Sequence, residues 1–104
     1  MNSNLAFNAL GDPTRRAIFE KLQDRPLAVV DIANGLPISR PAVSQHLKVL
    51  KEAKLIALKT VGNKNIYELN RDGIIAMRNY LDKFWDDALS NFKALAEQTE
   101  KEKK

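Results

Sequence analysis

Residues 38–69 constrain the fold more than any other part of the chain, because a segment with helical periodicity gives way there to one that alternates. In ISRPAVSQHLKVLKEAKLI, Ile38 to Ile56, Ser39 is a good N-cap whose hydroxyl can accept from the backbone N–H of Ala42. Arg40 and Pro41 suit the first turn, where proline sacrifices no hydrogen bond. Val43, Leu47 and Leu50 fall at i, i+4 and i+7 on one side, while Pro41, Gln45, Lys48 and Glu52 point roughly the other way, with Arg40, Ser44 and His46 on the flanks. Arginine, glutamine, serine and lysine read base edges or hold phosphates. Any amphipathic surface helix is also polar outside, so alone this pattern fits a DNA-reading helix and a plain solvated face equally well.

The residues that follow decide between them. Ile56 and Leu58, then Tyr67 and Leu69, alternate with polar positions around Gly62-Asn63-Lys64-Asn65, a hairpin signature with loop residues that tolerate positive φ. A short helix, a polar-faced helix and a two-stranded ribbon with Lys59 and Lys64 near its tip predict a winged helix-turn-helix. In that arrangement the helix enters the major groove and the wing lies along the adjacent backbone or minor groove. The expected fold is mainly α with a small β-hairpin wing, in the order α-α-α-α-β-β-α.

Helices are expected around that motif. Leu5, Ala9 and Leu10 mark a short first helix; Asp12 caps a second with Pro13 at its first position and Ile18, Phe19 and Leu22 facing inward. Arg15 and Arg16 on it are expected as surface or ion-paired residues more than as DNA contacts. Asp24-Arg25-Pro26 is a turn, and Val29, Ile32, Ala33 and Leu36 form the supporting helix that ends at Gly35 to Pro37. From Arg71 to about Gln98, apolar residues recur at 74, 77, 81, 84, 88, 92 and 95, with Trp85 and Leu89 widening the stripe. Such a helix exceeds what one small domain needs to cover its core. One edge packs inside the subunit, and Leu81, Phe84, Trp85, Ala88 and Phe92 are candidates for a symmetry-related helix. Residues 1–98 thus read as one domain, and 99–104 as a charged, frayed tail.

The 104 residues contain no cysteine, which excludes disulfides and thiolate metal sites, and only one histidine. No signal peptide or membrane-length apolar run is visible, so a cytoplasmic protein without membrane association is expected. A net charge of +4 favours a polyanionic partner, although Lys101, Lys103 and Lys104 supply part of the excess. No nucleophile–base set, paired acids or phosphate-binding glycine loop points to an enzyme, and no cofactor is implied. The competing reading is a winged helix used as a protein–protein interaction module. Such a surface would favour aromatic or aliphatic anchors where residues 39–52 offer Arg, Ser, Gln, His and Lys.

The order of elements, the run Gly11-Asp12-Pro13-Thr14-Arg15-Arg16-Ala17-Ile18, the segment Ser44-Gln45-His46-Leu47-Lys48-Val49-Leu50-Lys51-Glu52-Ala53 and the wing ending in Ile66-Tyr67-Glu68-Leu69 resemble the ArsR/SmtB family of winged-helix repressors. The resemblance spans nearly the whole chain. It implies a cytoplasmic homodimer paired through its first and last helices, adding Leu5, Phe7 and Leu10 to the interface, that binds a palindromic double-stranded DNA operator and often represses its own operon. It assigns base and phosphate contacts to Ser39, Arg40, Ser44, Gln45 and His46, with Pro41 among them, and backbone contacts to Lys48, Lys59, Asn63 and Lys64. Many members sense metals through a Cys-Val-Cys-Asp-Leu segment; here the matching stretch is Ala28-Val29-Val30-Asp31-Ile32, without donor atoms at either ligand position. Others bind zinc with histidines and carboxylates on the last helix, but the lone histidine is His46, and Asp82, Asp86 and Asp87 make no nitrogen-rich site. The expected branch is therefore the one without a metal, whose signal is a partner protein, a small molecule or its own concentration. Lys54 stands where the family usually has glycine, just past the reading helix, so it is expected in the left-handed conformation.

Overall fold

The computed structural model describes residues 3–102. Its elements run α1 (Ser3–Leu10), α2 (Pro13–Asp24), β1 (Leu27–Ala28), α3 (Val29–Ala33), α4 (Arg40–Glu52), β2 (Ile56–Val61), β3 (Lys64–Leu69) and α5 (Arg71–Glu102). This is the winged helix-turn-helix arrangement, with one strand more than the periodicity suggests. Asp12 caps α2 through its carboxylate, which accepts from the N–H of Thr14 at 2.8 Å and of Arg15 at 3.0 Å. Ser39 caps α4 by accepting from Ala42 at 3.3 Å. The helices meet in a core of Ile18, Leu22, Ile32, Val43, Leu47, Leu50, Leu55 and Ile56, and the i, i+4, i+7 face of α4 lies wholly inside it.

The sheet has the order β1-β3-β2, all antiparallel. β1 pairs Leu27 with Tyr67 and Ala28 with Ile66, so two residues between helices close the back of the wing. A two-residue strand shows no period, and its partner is distant in sequence. Val61 pairs with Lys64, which confines the hairpin loop to Gly62-Asn63 and places Lys64 and Asn65 in β3 rather than in the loop. Gly62 has φ +63, the positive value that a type II′ turn needs at its first loop position. The apolar phase of β2 weakens outward: Ile56 is buried, and Leu58 is already exposed.

At the end of α4 the N–H of Lys54 donates to the Lys51 carbonyl at 3.0 Å and that of Leu55 to the Leu50 carbonyl at 3.1 Å. Those two bonds are the Schellman termination, which requires a left-handed residue between helix and strand. Lys54 supplies it with φ 65.

The last helix runs to Glu102, past the end near Gln98 that its apolar pattern suggests, so residues 99–102 continue it; Lys103 and Lys104 lie outside the described residues. Its first turns pack inward through Met77 against the core and through Tyr80, whose ring lies 5.4 Å from that of Phe7. From Leu81 to Lys101 every side chain except that of Ala88 is exposed. The chain therefore measures 71 × 27 × 22 Å, with a radius of gyration of 19.1 Å, against about 13 Å for a compact chain of this length.

Candidate nucleic-acid interface

The inward face of α4 is occupied by the core, which leaves its other side chains for solvent or a ligand. Ser39, Arg40, Pro41, Ser44, Gln45 and Lys48 are exposed in a row along the helix, and Lys59, Asn63 and Lys64 are exposed on the wing. The two groups are brought together: Arg40 at the start of α4 and Asn63, Lys64 and Asn65 at the wing tip line one cleft of about 320 Å³, closed behind by Val30 and Asp31 of α3. Three extended or helical segments thus present guanidinium, ammonium and amide groups to one side of the molecule. Groups of that chemistry are those that meet phosphates and base edges of nucleic acid.

His46 differs from its neighbours. It is half-buried on the flank of α4, near enough to the cap residue Asp12 to be the last of the influences that favour its carboxylate. The Asp12 carboxyl is held below the ordinary carboxylate range, first by the Arg15 N–H, then by the Thr14 N–H, the Arg15 guanidinium and His46, against the opposing effect of desolvation. Of the residues expected in the interface, His46 alone is shared between the polar face and the body.

Arg15 is not available for nucleic acid. Its Nε donates to the Ala9 carbonyl at 2.7 Å and its guanidinium reaches the Asn8 carbonyl at 3.3 Å, closing the C-terminus of α1, with Asp12 at 3.9 Å. Lys21 does the same for α3, its Nζ donating to the carbonyls of Asp31, Ile32 and Asn34 at 3.0, 3.2 and 2.7 Å. Cations at helix C-termini are stabilising because they meet unpaired carbonyls and the negative end of the dipole. Lys21 carries no sequence signal that separates it from a solvated lysine on α2. Thr60 and Asn65 hold the two wing strands across the sheet, Thr60 Oγ1 to Asn65 Oδ1 at 3.3 Å.

The residues expected at a subunit interface fall into two sets, with Ala88 half-buried between exposed neighbours on α5. Leu10 packs against the protein's own core and Phe7 is half-buried beside Tyr80, whereas Leu5, Leu81, Phe84, Trp85 and Phe92 are exposed, Phe92 by 64%. Among the described residues no cluster of three His, Cys, Asp or Glu could hold a metal ion, and no helix is long and apolar enough to cross a membrane.

A buried-core helix that turns a polar row outward beside a basic hairpin is the DNA-binding unit of winged helix-turn-helix regulators. Comparison with known proteins agrees. A helix-turn-helix domain family model matches residues 10–59. The HTH-type transcriptional regulator Rv2034 of Mycobacterium tuberculosis is 51% identical over 90 residues, covering 86% of this chain and 84% of that protein. The transcriptional repressor SdpR of Bacillus subtilis is 38% identical over 84 residues, 77% of this chain and 93% of that one. Among solved structures, an ArsR-like transcriptional regulator from Rhodococcus sp. RHA1 superposes with a TM-score of 0.76 at 28% identity, over 90% of this chain and 92% of that one. The chain belongs to the ArsR/SmtB family of winged helix-turn-helix transcriptional regulators. It is a DNA-binding regulator of transcription and not an enzyme.

Proposed function

We propose that this protein is a cytoplasmic homodimeric repressor that binds a palindromic operator through α4 and the wing of each subunit, and that it has no metal-sensing site. The observation that carries the reading is the convergence of Arg40 with Asn63 and Lys64 on one cleft, beside the exposed row Ser44, Gln45 and Lys48. Gln45, whose amide can accept from N6 and donate to N7 of adenine, and Arg40, a bidentate donor to guanine, are the base-reading residues; Lys48, Lys59 and Lys64 hold phosphates. The dimer rests on the unpartnered face of α5. Removing the Gln45 or Arg40 side chain is expected to lower affinity by about 1–3 kcal/mol and to relax base preference, whereas Lys64→Ala weakens all sequences alike. Gel-shift titrations against duplexes selected from random DNA decide it: unchanged binding by both Gln45→Ala and Arg40→Ala removes α4 from the reading role.

The absence of a metal sensor is supported by Ala28 and Val30, which offer no donor atoms where metal-binding relatives in this family have cysteines, and by His46 standing alone. Micromolar zinc or arsenite is expected to leave the operator complex intact. Release that EDTA reverses would reveal a metal site.

A further inference from the structure

Glycine is a poor helix residue, costing about 0.5–1 kcal/mol relative to alanine, yet Gly73 stands in the first turn of the longest helix of this protein. The reason is contact with the end of α4. A Cβ at position 73 would lie 1.7 Å from the Lys54 carbonyl oxygen and 2.7 Å from its carbon, backbone atoms that no rotamer change can move aside. The same junction is tied once more, by the Asn70 N–H donating to the Leu55 carbonyl at 2.9 Å, while the Asn70 side chain caps α5 itself, its Oδ1 accepting from the Gly73 N–H at 3.4 Å. The left-handed turn that ends α4 and the first turn of α5 therefore form one block, although the wing separates them in the sequence.

We propose that the Lys54–Gly73 contact sets the angle between the DNA-reading helix and the dimerisation helix, and so specifies the spacing of the two half-sites that the dimer accepts. Gly73 and Asn70 are positioning residues for specificity and touch no base themselves. The inference rests on the dimeric reading of α5 above. If α5 pairs about its exposed aromatic stretch, each reading helix is carried at the end of a rigid lever whose angle is fixed by the contact at this junction. Relieving a 1.7 Å approach to an ordinary contact of about 3.5 Å opens the junction by roughly 2 Å. With the packed ring pair at Tyr80 as the fulcrum, seven residues or about 10 Å along the helix, α5 swings by about 10° relative to the head. Two heads rotated in opposite senses by that amount change their separation on a duplex that repeats every 34–36 Å. Neither head is altered in itself.

The test uses the full chain and three kinds of duplex: the palindrome recovered from random DNA by the wild-type protein, the same palindrome with its half-sites moved apart or together by one and two base pairs, and a single half-site. Circular dichroism and sedimentation accompany each variant. For Gly73→Ala, a folded dimer is expected whose single-half-site affinity stays within threefold of wild type, whose affinity for the original palindrome falls at least tenfold, and whose preferred spacing moves by one base pair or more. Asn70→Ala keeps the backbone room but removes the cap that fixes the first turn of α5 where it meets Lys54; it is expected to broaden spacing preference without weakening the half-site, and it decides the matter should Gly73→Ala fail to fold. Equal losses on half-site and palindrome, or an unchanged spacing optimum in a folded variant, overturn the proposal while the dimeric reading stands. A wild-type protein that is monomeric, or that binds one half-site as tightly as two, overturns the dimeric reading and this proposal with it.

Discussion

Lys54 shows how a single φ value decides what a substitution does. Its φ of 65 is one that lysine reaches only against a Cβ clash, and among the described residues it is the one non-glycine in that region. The Schellman bonds on either side hold it there, so the strain, of order 1 kcal/mol, is borne by the native state. Glycine removes the strain but raises the entropy of the unfolded chain and loses a cation near the C-terminus of α4. Lys54→Gly is therefore expected to be neutral to stabilising by up to about 1 kcal/mol in chemical denaturation, and a loss larger than that contradicts this balance. The conformation was legible beforehand because the family pattern has glycine at this place. Its counterpart Gly73 was not: a glycine near a helix start has no mark in the sequence that says which backbone it must admit.

At the scale of elements, legibility followed how many local signals agreed. The cap Ser39, the first-turn proline and the face Val43, Leu47, Leu50 all predict the same helix, and α4 has those limits, that cap and that buried face. β1 had no such support, since Leu27-Ala28 becomes a strand only through Ile66 and Tyr67, brought to it by the fold. The short helix α3, five residues from Val29 to Ala33, is equally dependent on its surroundings, being far below the length at which a helix holds itself. Lys21 from α2 takes its last carbonyls, so Lys21→Met is expected to destabilise the protein by about 1–2 kcal/mol, because it strips three acceptors of one cationic donor while keeping the aliphatic stem. The amides of α3 would exchange with solvent faster. A Lys21→Met protein with wild-type denaturation and unchanged protection in α3 would show that water replaces the ammonium without cost. Of the candidate DNA contacts, the exposure of the α4 row was readable from periodicity, while the meeting of Arg40 with the wing tip depends on where Gly62-Asn63 turns, a position the loop composition left open by two residues.

At the scale of the whole molecule, the long last helix leaves an apolar face uncovered. The 32-residue α5 is about 48 Å long, and beyond Tyr80 it carries Phe84, Trp85, Leu89, Phe92 and Leu95 with half or more of their surface in solvent. Helices of that kind draw most of their stability from packing of the apolar face, and a second copy offers the same face in return. The intact protein is expected to sediment at twice 11.7 kDa at micromolar concentration and to melt at a temperature that rises with concentration. Trp85→Ala, which removes a large aromatic from the middle of the stripe, should weaken association by about 2–4 kcal/mol, a rise of roughly 30- to 900-fold in the dimer dissociation constant. Charge makes the consequence for DNA measurable. A dimer that neutralises six to ten phosphates has a slope of log K against log salt of roughly −5 to −9, and a monomer makes half those contacts. The Trp85→Ala protein, titrated where it is monomeric, should therefore show about half the wild-type slope while keeping its base preference, since Gln45 and Arg40 are untouched. A full slope in a protein shown to be monomeric would place the phosphate contacts of both half-sites on a single subunit and refute the two-headed arrangement; a wild-type chain that sediments as a folded monomer would refute the dimer itself.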